Sequence, residues 1–144
     1  MATQDDDLLQ TVERVREVSQ QYLSGDPGPF QGCWLQDEAA TIFGAWGAYE
    51  RGWEQVGPRL AWGAERYREG QTEFELLAHS ESGDLAYTVW IDRGQVRVAG
   101  RDEFSPMALR VTYIFRREEG TWKIIHRHAD PITDKTEFSV ILQQ

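Results

Sequence analysis

Histidines alternate with charged residues near the end of the chain, in the stretch His126-Arg127-His128-Ala129-Asp130. If this stretch is a β-strand, His126, His128 and Asp130 share one face, because successive side chains of a strand point to opposite sides. An imidazole titrates near neutral pH and an apolar environment raises the pKa of a carboxyl group, so these three residues suit acid–base catalysis. The His-x-His spacing also occurs in metal sites. A purely structural role, with hydrogen bonds among the three side chains and the backbone, is the alternative.

These residues belong to a predicted β-hairpin that spans residues 110–131, because alternating β-branched and aromatic residues flank a polar turn. The loop length decides which residues of the first strand face the histidines. A two-residue loop brings Val111 and Tyr113 to that face, since a shift of one residue inverts every side chain. We favour a three-residue loop, residues 118–120. It sets Thr112 opposite His126 and Arg110 opposite His128, and the predicted inward polar face then consists of Arg110, Thr112, His126, His128 and Asp130.

Arg110 is the candidate ligand-binding cation of this face. Its planar guanidinium binds oxygens in pairs, so Arg110 and Thr112 suit an anionic or carbonyl-bearing ligand. A salt bridge from Arg110 to Asp130 or Glu50 is the alternative interpretation. Because a guanidinium beside two imidazoles disfavours a bound cation, we expect no metal, and no motif of the sequence predicts a cofactor.

Aromatic residues are the candidate walls of an apolar pocket. They make up 12% of the chain, which has six tryptophans. Such side chains could enclose a hydrophobic small molecule or simply form the core. The candidate ligand-binding aromatic residues are Trp46, Tyr49, Trp53 and Trp90.

The composition limits the class of protein. With 144 residues, the chain is predicted to form a single domain, residues 1–144. A net charge of −9 argues against nucleic acid and anionic membranes as partners. One cysteine, Cys33, excludes an internal disulfide and favours a reducing compartment. The N-terminus lacks signal-peptide features, and no apolar run is long enough to span a membrane. We therefore predict a cytoplasmic protein.

Helical patterns come first in the chain and strand patterns follow. A first helix is predicted to begin with a cap at Thr3 and to end at Gly25. A second long helical region, residues 51–68, contains Gly57-Pro58, which should interrupt it because proline cannot donate a backbone hydrogen bond. The other expected elements are a helical turn at 30–35, a strand at 40–46, and strands at 72–80 and 85–92. The last two are predicted to form a hairpin across the turn sequence of residues 82–84, with a possible extension of the second over 95–99. A tail at 136–142 adds an edge strand or reaches a partner chain.

This order predicts an α+β fold in which the helices lie on one face of a curved, mostly antiparallel sheet. Three segments carry a resemblance to a known family: Gly25-Asp26 after the first helix, residues 40–53 and residues 110–130. The chain resembles SnoaL-like domains of the nuclear-transport-factor-2-like superfamily, and its residues 110–130 are also similar to the association domain of calcium/calmodulin-dependent kinase. The resemblance implies a cone made by a strongly bent sheet and three helices.

Members of this superfamily include ketosteroid isomerase, polyketide cyclases and non-enzymatic adaptors, so the resemblance implies two kinds of function. The first is binding of a small apolar or carbonyl-bearing ligand, with cofactor-independent isomerase, cyclase or hydratase chemistry as its catalytic form. The alternative is a non-catalytic oligomerisation or interaction module. We also expect a homodimer joined through the outer sheet face, which is predicted to present Ile125, Arg127, Val111, Tyr113 and Phe115.

Overall fold

The structure, a computed structural model, describes residues 7–143. Three α-helices and six strands make up most of this part of the chain. The helices are α1 (Leu8–Tyr22), α2 (Gly28–Gln31) and α3 (Trp53–Ala64). The strands are β1 (Thr41–Phe43), β2 (Glu50–Arg51), β3 (Tyr67–Ser82), β4 (Leu85–Val98), β5 (Ser105–Glu118) and β6 (Thr121–Pro131), and a 3₁₀ turn follows at Phe138–Ile141.

The strands form one curved sheet in the order β2-β1-β6-β5-β4-β3. Every pairing is antiparallel except that between β1 and β6. The predicted α+β cone with a mostly antiparallel sheet is confirmed. The predicted hairpin across residues 82–84 is present as well, with Ser82 paired to Leu85. The strand that follows continues to Val98, as the possible extension over residues 95–99 anticipated.

Helix α1 begins at an acidic cap. The Asp7 carboxylate accepts a hydrogen bond from the backbone N–H of Leu9, and the Asp7 N–H donates to the Gln10 side chain. Two backbone groups at the helix start are thereby satisfied reciprocally. The predicted cap at Thr3 lies outside the described residues. One face of the helix buries Leu8 and Val12 against the sheet, as expected from their spacing.

Helix α3 continues through Pro58, so the prediction that Gly57-Pro58 interrupts it is wrong. Proline removes only its own backbone donor, and the turns on either side stay anchored because Val56 and Leu60 are buried in the core. The Gly57 carbonyl oxygen also accepts a hydrogen bond from the Gln31 side chain at 3.0 Å. Tertiary packing thus maintains the helix despite an unfavourable residue.

The β5–β6 hairpin closes with two residues, so the predicted three-residue loop is wrong. Glu118 pairs with Thr121, and both loop residues have positive φ, 50° at Glu119 and 78° at Gly120. This backbone matches the twist of the flanking strands, which is why two-residue hairpin loops favour it.

A β-bulge at Ile125 then changes the register. Phe115 pairs with Ile124, but the next pair along is Ile114 with His126, so Ile125 has no partner. A single extra residue inverts the side chains that follow it. Before the bulge, β6 buries Trp122 and Ile124 in the core; beyond it, Arg127 and Ala129 face the same way.

The bulge places the predicted polar face on the outside of the cone. Arg110 and Thr112 do lie with the histidines, but Thr112 pairs with His128 and Arg110 with Asp130. The prediction that this face points into the cone is therefore wrong. The residues predicted for the outer face are also wrong. Val111, Tyr113 and Phe115 are buried in the core, Arg127 faces the cavity, and Ile125 is the bulge residue.

Within residues 7–143 the tail adds no edge strand, so that alternative is wrong, whereas contact of the tail with a partner chain stays a prediction. Residues 138–141 form the 3₁₀ turn, whose apolar side chains are exposed. Backbone pairing with the sheet ends at Pro131, apart from a hydrogen bond from Ile132 N–H to the Ala108 carbonyl oxygen. Within residues 7–143, no helix has the length and apolar character that crossing a membrane requires.

The close approach of β3 and β4 depends on Gly94, so we predict that Gly94→Ala destabilises the fold. An added Cβ would collide with the backbone carbonyl oxygen of Gln71 and would lie 2.6 Å from Thr72 Cα. Because backbone atoms cannot move aside cheaply, we expect a loss of about 2 kcal/mol in the free energy of unfolding, measured by urea denaturation. The matched control is Gly44→Ala, where a Cβ meets nothing within 4 Å. Equal stability of the two variants would contradict the idea that the close approach of β3 and β4 depends on Gly94.

Candidate functional site

A cavity of about 330 Å³ lies inside the cone, between α1, α3 and the inner face of the sheet. Its walls are mainly apolar and include Phe30, Leu60, Phe74, Leu109 and Val111. This volume lies at the small end of ligand pockets in proteins. It suits a compact molecule of one or two rings.

Arg127 supplies a positive charge to this apolar cavity. Its Nε donates a hydrogen bond to the Tyr113 hydroxyl at 3.2 Å, and its guanidinium lies 5.8 Å from the centre of the same ring. Its two terminal nitrogens have no hydrogen-bond partner among residues 7–143. Burial alone would lower the pKa of Arg127, but the Tyr113 hydroxyl, Tyr22 and Asp92 raise it, so the guanidinium remains charged.

Three tyrosines surround the guanidinium or line the cavity beside it: Tyr22, Tyr67 and Tyr113. Burial raises the pKa of each phenol, and the charge of Arg127 only partly opposes that effect. The phenols are therefore neutral at physiological pH. Tyr22 is also held in place, because its hydroxyl donates to the Leu60 carbonyl oxygen at 2.7 Å.

Asp92 provides an acidic group in the same cavity. Its side chain is only 6% exposed, and its Oδ1 has no hydrogen-bond partner among the described residues. Burial raises the pKa of the carboxyl group, while a hydrogen bond with Thr72 and the charge of Arg127 work against the rise. No ion pair within 4 Å joins Asp92 to Arg127 in residues 7–143. The cavity thus contains a carboxyl group and a guanidinium that do not form a direct ion pair.

The four aromatic candidates lie in different places. Trp46 lines the cavity and is 50% exposed, so it lies where the cavity meets solvent, packed edge-on against Trp62 at 5.3 Å. Tyr49 is on the surface beside Phe43. Trp53 packs against Trp34, and Trp90 is a buried core residue. Of the four, only Trp46 lines the cavity.

The predicted polar residues form a connected row on the outer face. Arg110 binds the Asp130 carboxylate with two hydrogen bonds, of 2.6 and 2.8 Å, which is the salt bridge that the sequence left open. His128 lies 3.5 Å from the same carboxylate. His126 Nδ1 is 2.7 Å from the Thr41 hydroxyl oxygen. Burial and the neighbouring His128 lower the pKa of His126. Arg110 lowers the pKa of Asp130, chiefly by hydrogen bonding.

Two of the charged residues that line the cavity, Asp92 and Arg127, were not identified as candidates from the sequence. Asp92 had a usable signal, because it follows Thr88 and Trp90 at strand spacing and so places an acid on an otherwise inward face. Arg127 had none, since its direction depends on the bulge at Ile125. In the part of the chain that the structure describes, no group of three His, Cys, Asp or Glu side chains could hold a metal ion.

The family model of the SnoaL-like domain matches residues 12–133, which is most of the chain. The protein belongs to the SnoaL-like domain family. Comparison with curated proteins finds no significant match.

Solved structures share the fold of this SnoaL-like domain. A "putative calcium/calmodulin-dependent protein kinase type II association domain" from Thiobacillus denitrificans superimposes with a TM-score of 0.74 at 14% identity, covering 92% of this chain and 100% of that one. A "putative dehydratase from the NTF2-like family" of Streptomyces avermitilis gives 0.72 at 18% identity, covering 88% and 94%. A "putative scytalone dehydratase" from Novosphingobium aromaticivorans gives 0.71 at 13% identity, covering 90% and 89%.

The raised pKa of Asp92 predicts how the stability of this SnoaL-like domain changes with pH. A carboxyl group whose pKa is higher in the folded state favours folding below its unfolded pKa of about 3.9. That contribution is lost as the pH rises through the folded pKa. The total loss is about 1.4 kcal/mol for each unit by which the folded pKa exceeds the unfolded pKa. Asp92→Asn cannot ionise. We therefore expect it to gain stability relative to the parent as the pH rises above about 4, measured by urea denaturation. A pH-independent difference would contradict the raised pKa.

Proposed function

We propose that the SnoaL-like domain binds a compact apolar molecule in its cavity and holds an anionic or carbonyl oxygen of that molecule with Arg127. The observation that carries the proposal is the guanidinium itself. It faces an apolar cavity, it is oriented by Tyr113, and its terminal nitrogens have no hydrogen-bond partner in the part of the chain that the structure describes. A buried charge without partners is unfavourable, and an oxygen-bearing ligand would supply the missing hydrogen bonds.

Proton transfer on an enolisable or dehydratable carbonyl compound is the chemistry that these groups favour. Arg127 would stabilise negative charge that develops on the substrate oxygen. Asp92, with its raised pKa, is placed in the same cavity to exchange a proton. We therefore propose a cofactor-independent isomerase, cyclase or hydratase as the catalytic form of the function. The names of two structural neighbours, both dehydratases by description, support the same class.

Arg127→Met tests the proposal, with Arg110→Met as its matched control. Both replace an arginine by an apolar side chain of similar length, one in the cavity and one on the outer face. A thermal-shift panel of steroid-like, terpenoid and polyketide-like ketones and aromatic carboxylates first identifies a ligand, because binding to the native state raises its melting temperature. We expect Arg127→Met to weaken the binding of that ligand by about tenfold to a hundredfold in calorimetry.

Arg110→Met should leave the affinity unchanged and have little effect on stability, since the Arg110 side chain is largely exposed and solvent screens its ion pair with Asp130. The opposite pattern, with binding lost in Arg110→Met and retained in Arg127→Met, would restore the outer-face row of Arg110, His126, His128 and Asp130 as the site. Folding of both variants is checked by circular dichroism.

We also propose a homodimer formed through the outer sheet face, and this surface is what favours the alternative function, an interaction module. Tyr87, Ile114, His126 and Thr41 form a row across four neighbouring strands. Tyr87 and Ile114 are 43% and 36% exposed, and Phe43 beside the histidines is 43% exposed. Apolar groups concentrated on one face are typical of an interface. The association-domain description of one structural neighbour is consistent with such a role.

Ile114→Lys should disrupt this dimer, because it places a charge at the middle of the row. We expect a dimer for the parent protein in size-exclusion chromatography with light scattering, and at least a tenfold weaker self-association for the variant. Glu17→Lys, a charge change at an exposed position of α1 and not on the outer sheet face, is the control. A parent protein that remains monomeric at high micromolar concentration would overturn the dimer. Assembly without any Arg127-dependent ligand would favour the interaction module.

A further inference from the structure

Asp92 and Arg127 are two polar groups at separate positions of one apolar cavity. Both line it, yet they form no ion pair within 4 Å in residues 7–143. Opposite charges in a low-dielectric cavity attract strongly, so side chains that could reach each other would be expected to pair. Their separation is therefore imposed by the sheet.

The strand register shows how large the separation is. Arg127 lies opposite Tyr113, Tyr113 lies opposite Thr88, and Asp92 follows Thr88 by four residues on β4. The two backbone positions are thus two strands, about 10 Å, apart across the sheet and about 13 Å apart along it, before curvature shortens the distance. The guanidinium stays at the Tyr113 end because its Nε is bound to that hydroxyl. Leu109 and Val111 line the cavity between the two groups.

The surroundings of Asp92 leave part of its hydrogen-bonding capacity unused. The Gln20 amide donates to the Thr72 hydroxyl oxygen at 3.0 Å, which leaves the hydroxyl proton of Thr72 for the Asp92 carboxyl group. The other carboxyl oxygen, Oδ1, has no hydrogen-bond partner among the described residues, although Asp92 is only 6% exposed. A buried oxygen without a partner is unfavourable unless a bound molecule satisfies it.

We propose that Asp92 is a second ligand-binding group, and that the ligand is a compact ring compound with an acidic or carbonyl oxygen at one end and a hydroxyl group at the other. Arg127 binds the first oxygen and Asp92 the distal hydroxyl. This inference rests on the proposed function, because it places the same ligand in the same cavity.

A hydroxyl fits Asp92 better than an ammonium group does. A hydroxyl both donates and accepts, so it matches the carboxyl group whether or not that group is protonated. An ammonium would require the ionised carboxylate, which burial disfavours. A purely apolar end would leave Oδ1 without a partner.

Three naphthoates test this assignment by calorimetry: 2-naphthoate, 6-hydroxy-2-naphthoate and 3-hydroxy-2-naphthoate. The first has only the acid. The second adds a hydroxyl at the far end of the rings, and the third adds it next to the acid. We expect the parent protein to bind 6-hydroxy-2-naphthoate about tenfold more tightly than either of the others. This comparison needs no variant, so it does not depend on whether a substituted protein folds.

Substitutions then distinguish the contribution of Asp92 to binding from that of Arg127. Asp92→Leu should remove the preference for 6-hydroxy-2-naphthoate while leaving the affinity for 2-naphthoate within about threefold, whereas Arg127→Met should weaken all three acids about equally. Asp92→Asn retains the shape of the side chain and should reduce the preference without loss of folding.

The failures are distinguishable. If 2-naphthoate binds and depends on Arg127, but the distal hydroxyl gives no advantage or its advantage survives in Asp92→Leu, then Asp92 does not bind the distal hydroxyl, and the proposed binding of an oxygen by Arg127 stands. If no naphthoate binds, or binding does not depend on Arg127, this ligand class is overturned together with the Arg127 site for acids.

Discussion

The inside of this cone depends on one residue of β6, Ile125, which has no partner on the neighbouring strand. Ahead of the bulge, β6 directs Trp122 and Ile124 into the core; beyond it, the strand directs Arg127 inward and the histidines outward. Without the extra residue the parity would be reversed, and two imidazoles and a carboxylate would face the apolar interior. β-Bulges occur next to functional sites because they redirect a side chain without ending the strand. Here the redirected side chain is an arginine.

An arginine inside an apolar cavity requires compensation from its neighbours. The Tyr113 hydroxyl accepts from Nε, and the Tyr113 ring lies 5.8 Å from the guanidinium carbon. Tyrosine fills this role because its ring packs as an apolar group while its hydroxyl satisfies a donor. Phe30 in turn packs edge-on against Tyr113 at 6.5 Å, which links the orientation of the guanidinium to the helices. Within residues 7–143 the remaining nitrogens have no hydrogen-bond partner, so these residues stabilise the charge without satisfying it fully.

Much of the fold followed from local patterns, and the site did not. Helix periodicity, the turn at Gly83-Asp84 and the alternating strands are short-range signals, and they led to the correct architecture. A bulge has no comparable signature, because Ile125 is as good a strand residue as its neighbours. The outer row of Arg110, Thr112, His126, His128 and Asp130 was grouped correctly but placed on the wrong side. The grouping survived because the shorter loop and the bulge together restore the parity that the longer loop would have given.

The two faces of the sheet separate the two proposed roles. Along β5, Val111 and Tyr113 line the cavity, while the residues that alternate with them, Arg110, Thr112 and Ile114, lie on the outer face. Adjacent residues therefore belong to the proposed ligand site and to the proposed interface without facing the same side of the sheet. Strand β1 connects the two faces. Ile42 lines the cavity and pairs with Arg127, while its neighbours Thr41 and Phe43 contact His126 and His128 on the outer face. A displacement of β1 from the outer face would therefore also move the cavity wall. If the proposed interface shifts β1, it would change the position of Ile42 beside the guanidinium. Ligand binding and assembly would then be coupled through that short strand.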